Sequence, residues 1–534
     1  MSMIRLPRRA VGVAASLVLA CGTTVATFAT FAATSSPAGA ATTIGPVDPS
    51  IPDGGSNSLR DVLENQISSG DTVVLQAGAT YTLDFCELPP PAAFTGVGDI
   101  SVAAAVTIEG NGATIDQTCQ DRVLQTQDAI TLRDVTITGG NSNFFGGGLE
   151  VDDNVLATID GVTFVDNESD SGGGIGTFGD LSITDSTFTN NVSSDGDGGG
   201  IQVLSADANV DIIGSAFSGN STNGWGGAFE QESFDPGAAA VGNFVLNVSG
   251  STFTGNTAEG DGGGALDTED PATITVTDST LDSNEGGQGG GIGTFNDNSI
   301  VSVSHSTLSN NTSHMAGGAI YNCCGAESLS AAASGTSTTI VDSTITGNHQ
   351  AYDGAVNVSG ALTVSYSTVT DNANDADQLR GKASGTSADG HSRASVQVEG
   401  NDPASGLVAD AITLTGTVLA QPNGVANCSP TVGGTVTSNG YNFSDDASCN
   451  LVGTGDQQNA GDPGLGALAN NGGPTLTRLP GTGSPLLDVV PPAACNAVVT
   501  DDQRGITRPQ GSGCDVGAVE VVVEAVEIAP KFTG

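Results

Sequence analysis

Eight times between residues 137 and 372, an apolar residue is followed three positions later by asparagine, with a glycine cluster ending in an apolar residue close by. The asparagines are Asn167, Asn191, Asn220, Asn256, Asn284, Asn311, Asn348 and Asn372, at steps of 24, 29, 36, 28, 27, 37 and 24 residues. Glycine clusters at 172–175, 198–201, 289–292 and 317–320 are typical of the set. A repeat of this length constrains the architecture before any motif is weighed. One unit cannot bury its own apolar face and must stack on its neighbours.

Each asparagine follows a run in which apolar residues alternate with Ser and Thr, as in Leu181-Ser-Ile183-Thr-Asp185-Ser-Thr-Phe188. A period of two puts Leu, Ile and Val inward and Ser and Thr outward, and β-branched residues suit the pleat. Two short strands per repeat, joined by Gly, Asn and Asp turns, describe one coil of a parallel β-helix. The expected fold is all-β, a right-handed parallel β-helix (solenoid), its hand following the general rule for parallel crossovers. Coils stack at about 4.8 Å, so roughly a dozen make a rod on the order of 60 Å long. The asparagines form a structural column at a tight turn, where Asn tolerates the left-handed conformation and its amide bonds to the coils above and below.

Residues 58–67, Ser-Leu-Arg-Asp-Val-Leu-Glu-Asn-Gln-Ile, read as a short amphipathic cap helix that covers the open strand edges at the start of the stack. The expected organisation is a signal peptide over 1–40, the N-terminal cap and first coils over 41–125, and regular repeats over 126–375. An irregular insertion with the last coils over 376–424, a disulfide-bearing C-terminal cap over 425–520 and a tail over 521–534 follow.

Formal net charge is −46, and no Lys or Arg occurs between Arg133 and Arg380. Such an acidic surface repels phosphate backbones, which argues against nucleic-acid partners. Arg5, Arg8 and Arg9, an apolar stretch from Val11 and the small-residue site Ala38-Gly39-Ala40 read as a secretory leader. Lipoprotein processing at Cys21 is the second reading. No later segment is long and apolar enough to span a membrane, so the chain is expected to be secreted or displayed on the cell surface. Cleavage after Ala40 leaves eight cysteines, an even number suited to an oxidising compartment. Proximity suggests Cys86–Cys119, Cys428–Cys449 and Cys495–Cys514. The adjacent Cys323 and Cys324 either form a vicinal disulfide or stay thiols. A metal site joining them to His314 or His349 lacks support from any CxxC-type spacing.

The FxxN and GGA[ILV] repeats across 137–372 resemble those of chlamydial polymorphic outer-membrane proteins, a family of surface adhesins and autotransporters. That family's translocating β-barrel is not found in the sequence, so autotransport is not implied. Farther on come Ser438-Asn-Gly-Tyr441-Asn-Phe443, Asp462-Pro-Gly-Leu465-Gly, Asn471-Gly-Gly-Pro474-Thr, Asp502-Gln-Arg504-Gly and Arg508-Pro509. With Cys514-Asp-Val-Gly517-Ala-Val-Glu520 they are similar to the choice-of-anchor Q domain of bacterial exported β-helix proteins. Ser58-Leu59-Arg60 resembles the CSLREA start of the same proteins, without its Cys. This resemblance implies secretion and surface display, and no established reaction.

Parallel β-helices often host polysaccharide lyases and hydrolases, of the pectin-lyase-like type. A lyase needs a base, commonly Lys or Arg in this architecture, beside a cation that neutralises the uronate. Residues 134–379 hold neither, and Arg380, Lys382 and Arg393 sit in the irregular segment. A hydrolase needs carboxylates at a defined separation. Asp134, Asp185, Asp278 and Asp342 share one repeat position, but Gly161, Gly214, Gly250, His305 and Tyr366 interrupt it, and Asp in such a place is more often a turn residue. Calcium is the better chemical guess: Asp166, Asp170, Asp195, Asp197 and Asp261 cluster in turns before glycines and offer oxygen ligands, though solvated loop acids are the simpler account. Thr187-Phe-Thr189, Thr252-Phe-Thr254, Thr344-Ile-Thr346 and Thr368-Val-Thr370 form an outward ladder of the kind ice-binding surfaces use, although Thr is common on strand faces. The expectation is a non-enzymatic surface protein that binds glycans, cell-envelope polymers or proteins, without catalytic residues or an organic cofactor. A polysaccharide-active enzyme and a calcium-stabilised structural or ice-binding protein are the alternatives.

Overall fold

The computed structural model describes residues 41–86, 98–233, 244–323, 335–375, 379, 405–421, 424–495 and 499–522. All fall in one compact unit, Ala41–Gly534. The leader with Cys21, as well as Cys324, Arg380, Lys382, Arg393 and the tail beyond 522, lie outside the described residues.

The chain winds into a parallel β-helix. One coil runs through Ile201–Val203, Asn209–Ile213, Ala216–Ser218 and Ser221–Thr222, and Phe229–Gln231 opens the next. Each segment pairs in parallel with its equivalent one coil on: Ile201 with Phe229, Val210 with Leu246, Phe217 with Phe253, Ser221 with Thr257. A coil therefore holds four strands where alternation predicts two. The two extra strands span two or three residues, too few for a period of two to register in sequence.

Corners form where the backbone turns left-handed. Asp134, Gly161, Asp185, Gly214, Gly250, Asp278, His305, Asp342, Tyr366 and Gly416 make one column, with φ between 43° and 63°. The interrupted aspartate column of the sequence is thus a corner that Gly, Asp and even a buried Tyr can occupy. A second left-handed column holds Asp166, Asn190, Gly219, Gly255, Ser283, Asn310, Gly347 and Asp371. It lies one residue before the ladder asparagines, which corrects the expectation that the asparagines themselves take this conformation. The corner residue turns the chain so that the next side chain points inward.

Those inward asparagines are fully buried and bonded along the stack. Asn191 donates from Nδ2 to Phe164 O at 3.0 Å and to Asn220 Oδ1 at 2.9 Å, while its backbone N–H reaches the same Oδ1 at 3.0 Å. The pattern repeats to Asn372, where Gln421 takes the place of the next asparagine. Beside it runs a serine ladder, Ser186, Ser215, Ser251, Ser279, Ser306, Ser343 and Ser367, in which each hydroxyl from Ser215 on accepts from the backbone N–H of the preceding coil's serine. These serines are buried, not outward as strand alternation suggests, because the left-handed corner before each shifts the phase by one. The apolar core is stacked in the same way. Phe164, Phe188, Phe217 and Phe253 lie ring on ring at 4.9, 4.5 and 4.7 Å, close to the interstrand spacing.

At the N-terminal end an α-turn over Leu59–Asp61 runs into a wider π-turn over Val62–Gln66. Its Leu59, Val62 and Leu63 are buried in the core of the stack. Ser58 caps it, its hydroxyl accepting from Asp61 N at 3.2 Å. Arg60 is held by Asp53 at 2.8 Å and by the carbonyl of Gly98. Cys86–Cys119, Cys428–Cys449 and Cys495–Cys514 are disulfide-bonded.

The C-terminal region does more than close the far end. It folds back along the Thr-x-Thr face of the later coils. Thr475 Oγ1 donates to His305 O at 3.0 Å, Arg478 Nη1 to Thr370 Oγ1 at 2.9 Å, and Ala518 N to Thr368 Oγ1 at 3.1 Å. Thr307, Thr344, Thr346, Thr368 and Thr370 are buried under it, whereas Thr252 and Thr254 are exposed. Arg508, fully buried, pairs with Asp342 at 3.1 Å and Glu520 at 3.3 Å and lies 5.0 Å from the Tyr366 ring centre. The later part of the threonine ladder is a docking surface for the chain's own C-terminal segment.

Candidate functional site

The glycine clusters lead into a face of three-residue strands, which include Ile201–Val203, Phe229–Gln231, Leu266–Thr268 and Ile292–Thr294. At its entry Gly172, Gly198, Gly226 and Gly289 are left-handed, with φ between 67° and 74°, a conformation that a side chain would strain. Isoleucine, phenylalanine and leucine at the first strand position enter the core. The middle position points away from it and forms a column of Gln202, Glu230, Asp267, Gly293 and Tyr321. One residue beyond each strand lies a second column, Leu204, Glu232, Glu269, Phe295 and Cys323, set by hydrogen bonds from each N–H to the preceding coil.

Outward residues on a solenoid face are ordinarily wet, yet Gln202, Glu230 and Asp267 are almost fully buried. Trp225 is close to this column, one residue before Gly226, whose added Cβ would meet Glu230 Cβ. It precedes the glycine turn of its own coil and lies against the next, where a Cβ on Gly262 would sit 2.5 Å from Trp225 Cβ. Its ring reaches Phe295 at 4.8 Å, and Phe295 in turn reaches Tyr321 at 5.4 Å. Nearer the N-terminal end on the same side, Phe145 and Phe178 meet edge to face at 5.5 Å. All five rings are partly exposed, in contrast to the buried phenylalanine stack.

Beside the aromatic row sits a carboxylate cluster. Glu230, Glu232 and Glu269 each offer an oxygen within 4.8 Å of the others. Among the described residues neither Glu230 oxygen has a hydrogen-bond donor, and the Gln202 amide oxygen lacks one as well. Burial, and then the negative charges of Asp197, Glu232, Glu269 and Asp267, push the Glu230 carboxyl well above the usual range.

The acids singled out from sequence do not assemble into such a group among the described residues. Asp166 occupies a left-handed corner, and its carboxylate accepts from Asn190. Asp170 is raised by burial and by Asp195 beside it. Asp197 accepts from Trp225 N at 2.6 Å and so helps place the indole, while Asp261 lies against the Gly287 turn of the following coil. His314 is engaged by Glu285 at 2.7 Å and His349 by Asp375 at 2.5 Å, a use other than metal binding with Cys323. Asp342, from the interrupted aspartate column, is tied to Arg508. A concavity near the N-terminal end, lined by Asp53, Ser58 and Tyr81, is structural: Asp53 holds Arg60, and Tyr81 donates to Val47 O at 2.7 Å.

Sequence reasoning did not pick out Glu230, Glu232, Glu269 or the aromatic row. Aligning the glycine clusters would have placed Gln202, Glu230 and Asp267 at one repeat position and Glu232, Glu269 and Phe295 at another.

The repeat of Chlamydia polymorphic membrane proteins matches residues 305–323. The matched coil contains Asn311 of the ladder, the left-handed Gly317 and, at its end, Tyr321 of the aromatic row. No curated protein and no solved structure matches the chain. The chain is thus a β-helix repeat protein with one stretch similar to the repeat of these membrane proteins. No helix among the described residues is long and apolar enough to cross a membrane.

Proposed function

We propose that this protein is a secreted or surface-displayed β-helix adhesin that binds a glycan or cell-envelope polymer along the face carrying Trp225, Phe295 and Tyr321. The aromatic row is the observation that carries the reading. Partly exposed rings, side by side on a solenoid otherwise poor in exposed aromatics, offer flat apolar platforms to the C–H faces of sugar rings. Adjacent carboxylates and amides can fix the hydroxyls. Coil stacking spreads these platforms along the fibre direction, which suits a linear polymer. The likeness of the C-terminal motifs to the choice-of-anchor Q domain fits export and surface display.

Retention on a panel of immobilised polysaccharides, with wild type and a Trp225→Ala/Tyr321→Ala double variant, tests this reading. Each ring contact contributes about 0.5–1.5 kcal/mol, so the double variant should bind about 5- to 150-fold more weakly. Equal retention of both proteins, or none by wild type, would remove the proposal. A second reading, polysaccharide hydrolysis, draws on the oxygens of Glu230, Glu232 and Glu269. Their spacing approaches the about 5–5.5 Å at which carboxylate pairs act in retaining glycosidases. New reducing ends in the same panel, lost in Glu232→Gln, would favour it over binding alone.

A further inference from the structure

We infer that Glu230, Glu232 and Glu269 form a binding site for a hard divalent cation of the calcium class, placed beside the aromatic row. Ligands on opposite sides of Ca2+, each at about 2.4 Å, stand about 4.8 Å apart. The three carboxylate oxygens lie within 4.8 Å of one another, no farther apart than a shared ion of this size allows.

An acidic group alone would not carry the inference. The second observation is that Glu230 is fully buried, directed at the other two carboxylates, and without a hydrogen-bond donor on either oxygen among the described residues. A buried carboxylate ordinarily finds donors or a counter-charge, because leaving it bare is among the costliest arrangements in a protein. Gln202 is the preceding residue of the same column, paired in register with Glu230. Its amide oxygen is buried and also lacks a donor. Oxygen donors of this kind suit calcium, whereas nitrogen or sulfur donors would point to a transition metal.

The position gives the ion a consequence. Glu230 and Glu232 belong to one coil and Glu269 to the next, so the cation would clamp two successive coils beside Trp225. Binding would hold the platform on which that ring rests. This site differs from the exposed turn acids of the sequence reading, such as Asp195.

Trp225 is the single tryptophan of the chain, which makes the test specific. Tb3+, a calcium mimic with the same oxygen preference, is titrated into the mature protein while Trp225 is excited. Saturable sensitised emission, displaced by Ca2+, is expected from wild type and from Asp195→Asn. Glu230→Gln should weaken it at least about tenfold, as should Glu232→Gln/Glu269→Gln, whose side chains lie at the partly exposed rim and spare the core. Calorimetry on Trp225→Phe should still show Ca2+ binding with the emission gone. Ca2+ should raise the melting temperature of wild type and not of Glu230→Gln. Unaltered ion binding by the folded Glu230→Gln protein would overturn the inference. So would no binding by wild type at about 10⁻³ M Ca2+, the weak end for extracellular calcium modules. Polysaccharide retention is read separately in the same variants, so loss of the ion and loss of the glycan are told apart.

Discussion

Gln503 accepts a hydrogen bond from the Thr344 hydroxyl at 2.6 Å, although 159 residues separate them. The amide is fully buried, and its Nε2 also donates to Ser306 O at 3.1 Å and to the hydroxyls of Thr307 and Thr475 at 2.9 Å each. One side chain thus joins the C-terminal segment to two successive coils of the threonine face. The contact explains why threonines alternating outward in sequence become interior in the later coils.

Gln503→Ala should therefore loosen the C-terminal segment without unwinding the helix. Each buried group left unsatisfied costs about 1–3 kcal/mol. Hydrogen exchange should rise in residues 465–522 and at Thr307 and Thr344, with the coils before Phe253 unaffected. Uniform exchange along the whole stack would contradict the strap arrangement.

The asparagine ladder predicts a position-dependent cost. Asn256 Oδ1 accepts from Asn220 N and Nδ2, and its own Nδ2 donates to Phe217 O and Asn284 Oδ1, all between 2.9 and 3.1 Å. Asn256→Ala orphans several of these groups at about 1–3 kcal/mol each, so a large drop in the urea midpoint is expected. Asn256→Asp keeps the shape but cannot donate to Asn284, and should also destabilise. Tolerance of both would show that the ladder contributes little.

Gly262→Ala tests the seat of Trp225. The added Cβ would meet Trp225 Cβ at 2.5 Å, too close for either backbone to keep its place. Trp emission should shift to the red as the indole lifts into water, while far-ultraviolet circular dichroism stays unchanged. An unshifted spectrum would mean that the ring does not lie against this turn.

Two buried aspartates set a pH dependence. Burial, helped by Asp121, pushes Asp99 up to about 6 against the pull of Arg122 and Arg60. Burial likewise raises Asp342 to about 7 in spite of its 3.1 Å contact with Arg508, so desolvation outweighs the ion pair there. Between an unfolded aspartate's pKa near 3.9 and these values, the folded state holds protons that the unfolded chain has released. Stability should then rise as pH falls from about 7.5 to about 5.5, and be lost as pH climbs back through 6 to 7. Asp99→Asn should flatten the slope and stabilise the protein at pH 7.5 by on the order of 1–2 kcal/mol. Thermal melts across that range check the sign. A steeper slope in the variant would refute the assignment.

The spacing of Asn167 to Asn372 and the alternation around Leu181 and Ile183 were enough to establish a stacked β-solenoid. A repeating core column must recur once per coil whatever the turns between do. Cysteine proximity named the three bonded pairs for the same local reason. Local pattern failed where phase mattered. The left-handed corner at Asp185 turns Ser186 inward, and two-residue strands such as Ser221–Thr222 carry no period. The candidate site was harder to read, because loops of unequal length separate Gln202, Glu230 and Asp267 and only the glycine clusters mark their shared repeat position. Sequence by itself determined the repeat, its core columns and its acidic exterior, since those follow from side-chain chemistry at fixed intervals. Tertiary structure alone decided which outward residues are covered. Burial of Glu230 near Trp225 and of Thr344 under Gln503 depends on contacts between coils and segments remote in the chain, which no local interval encodes.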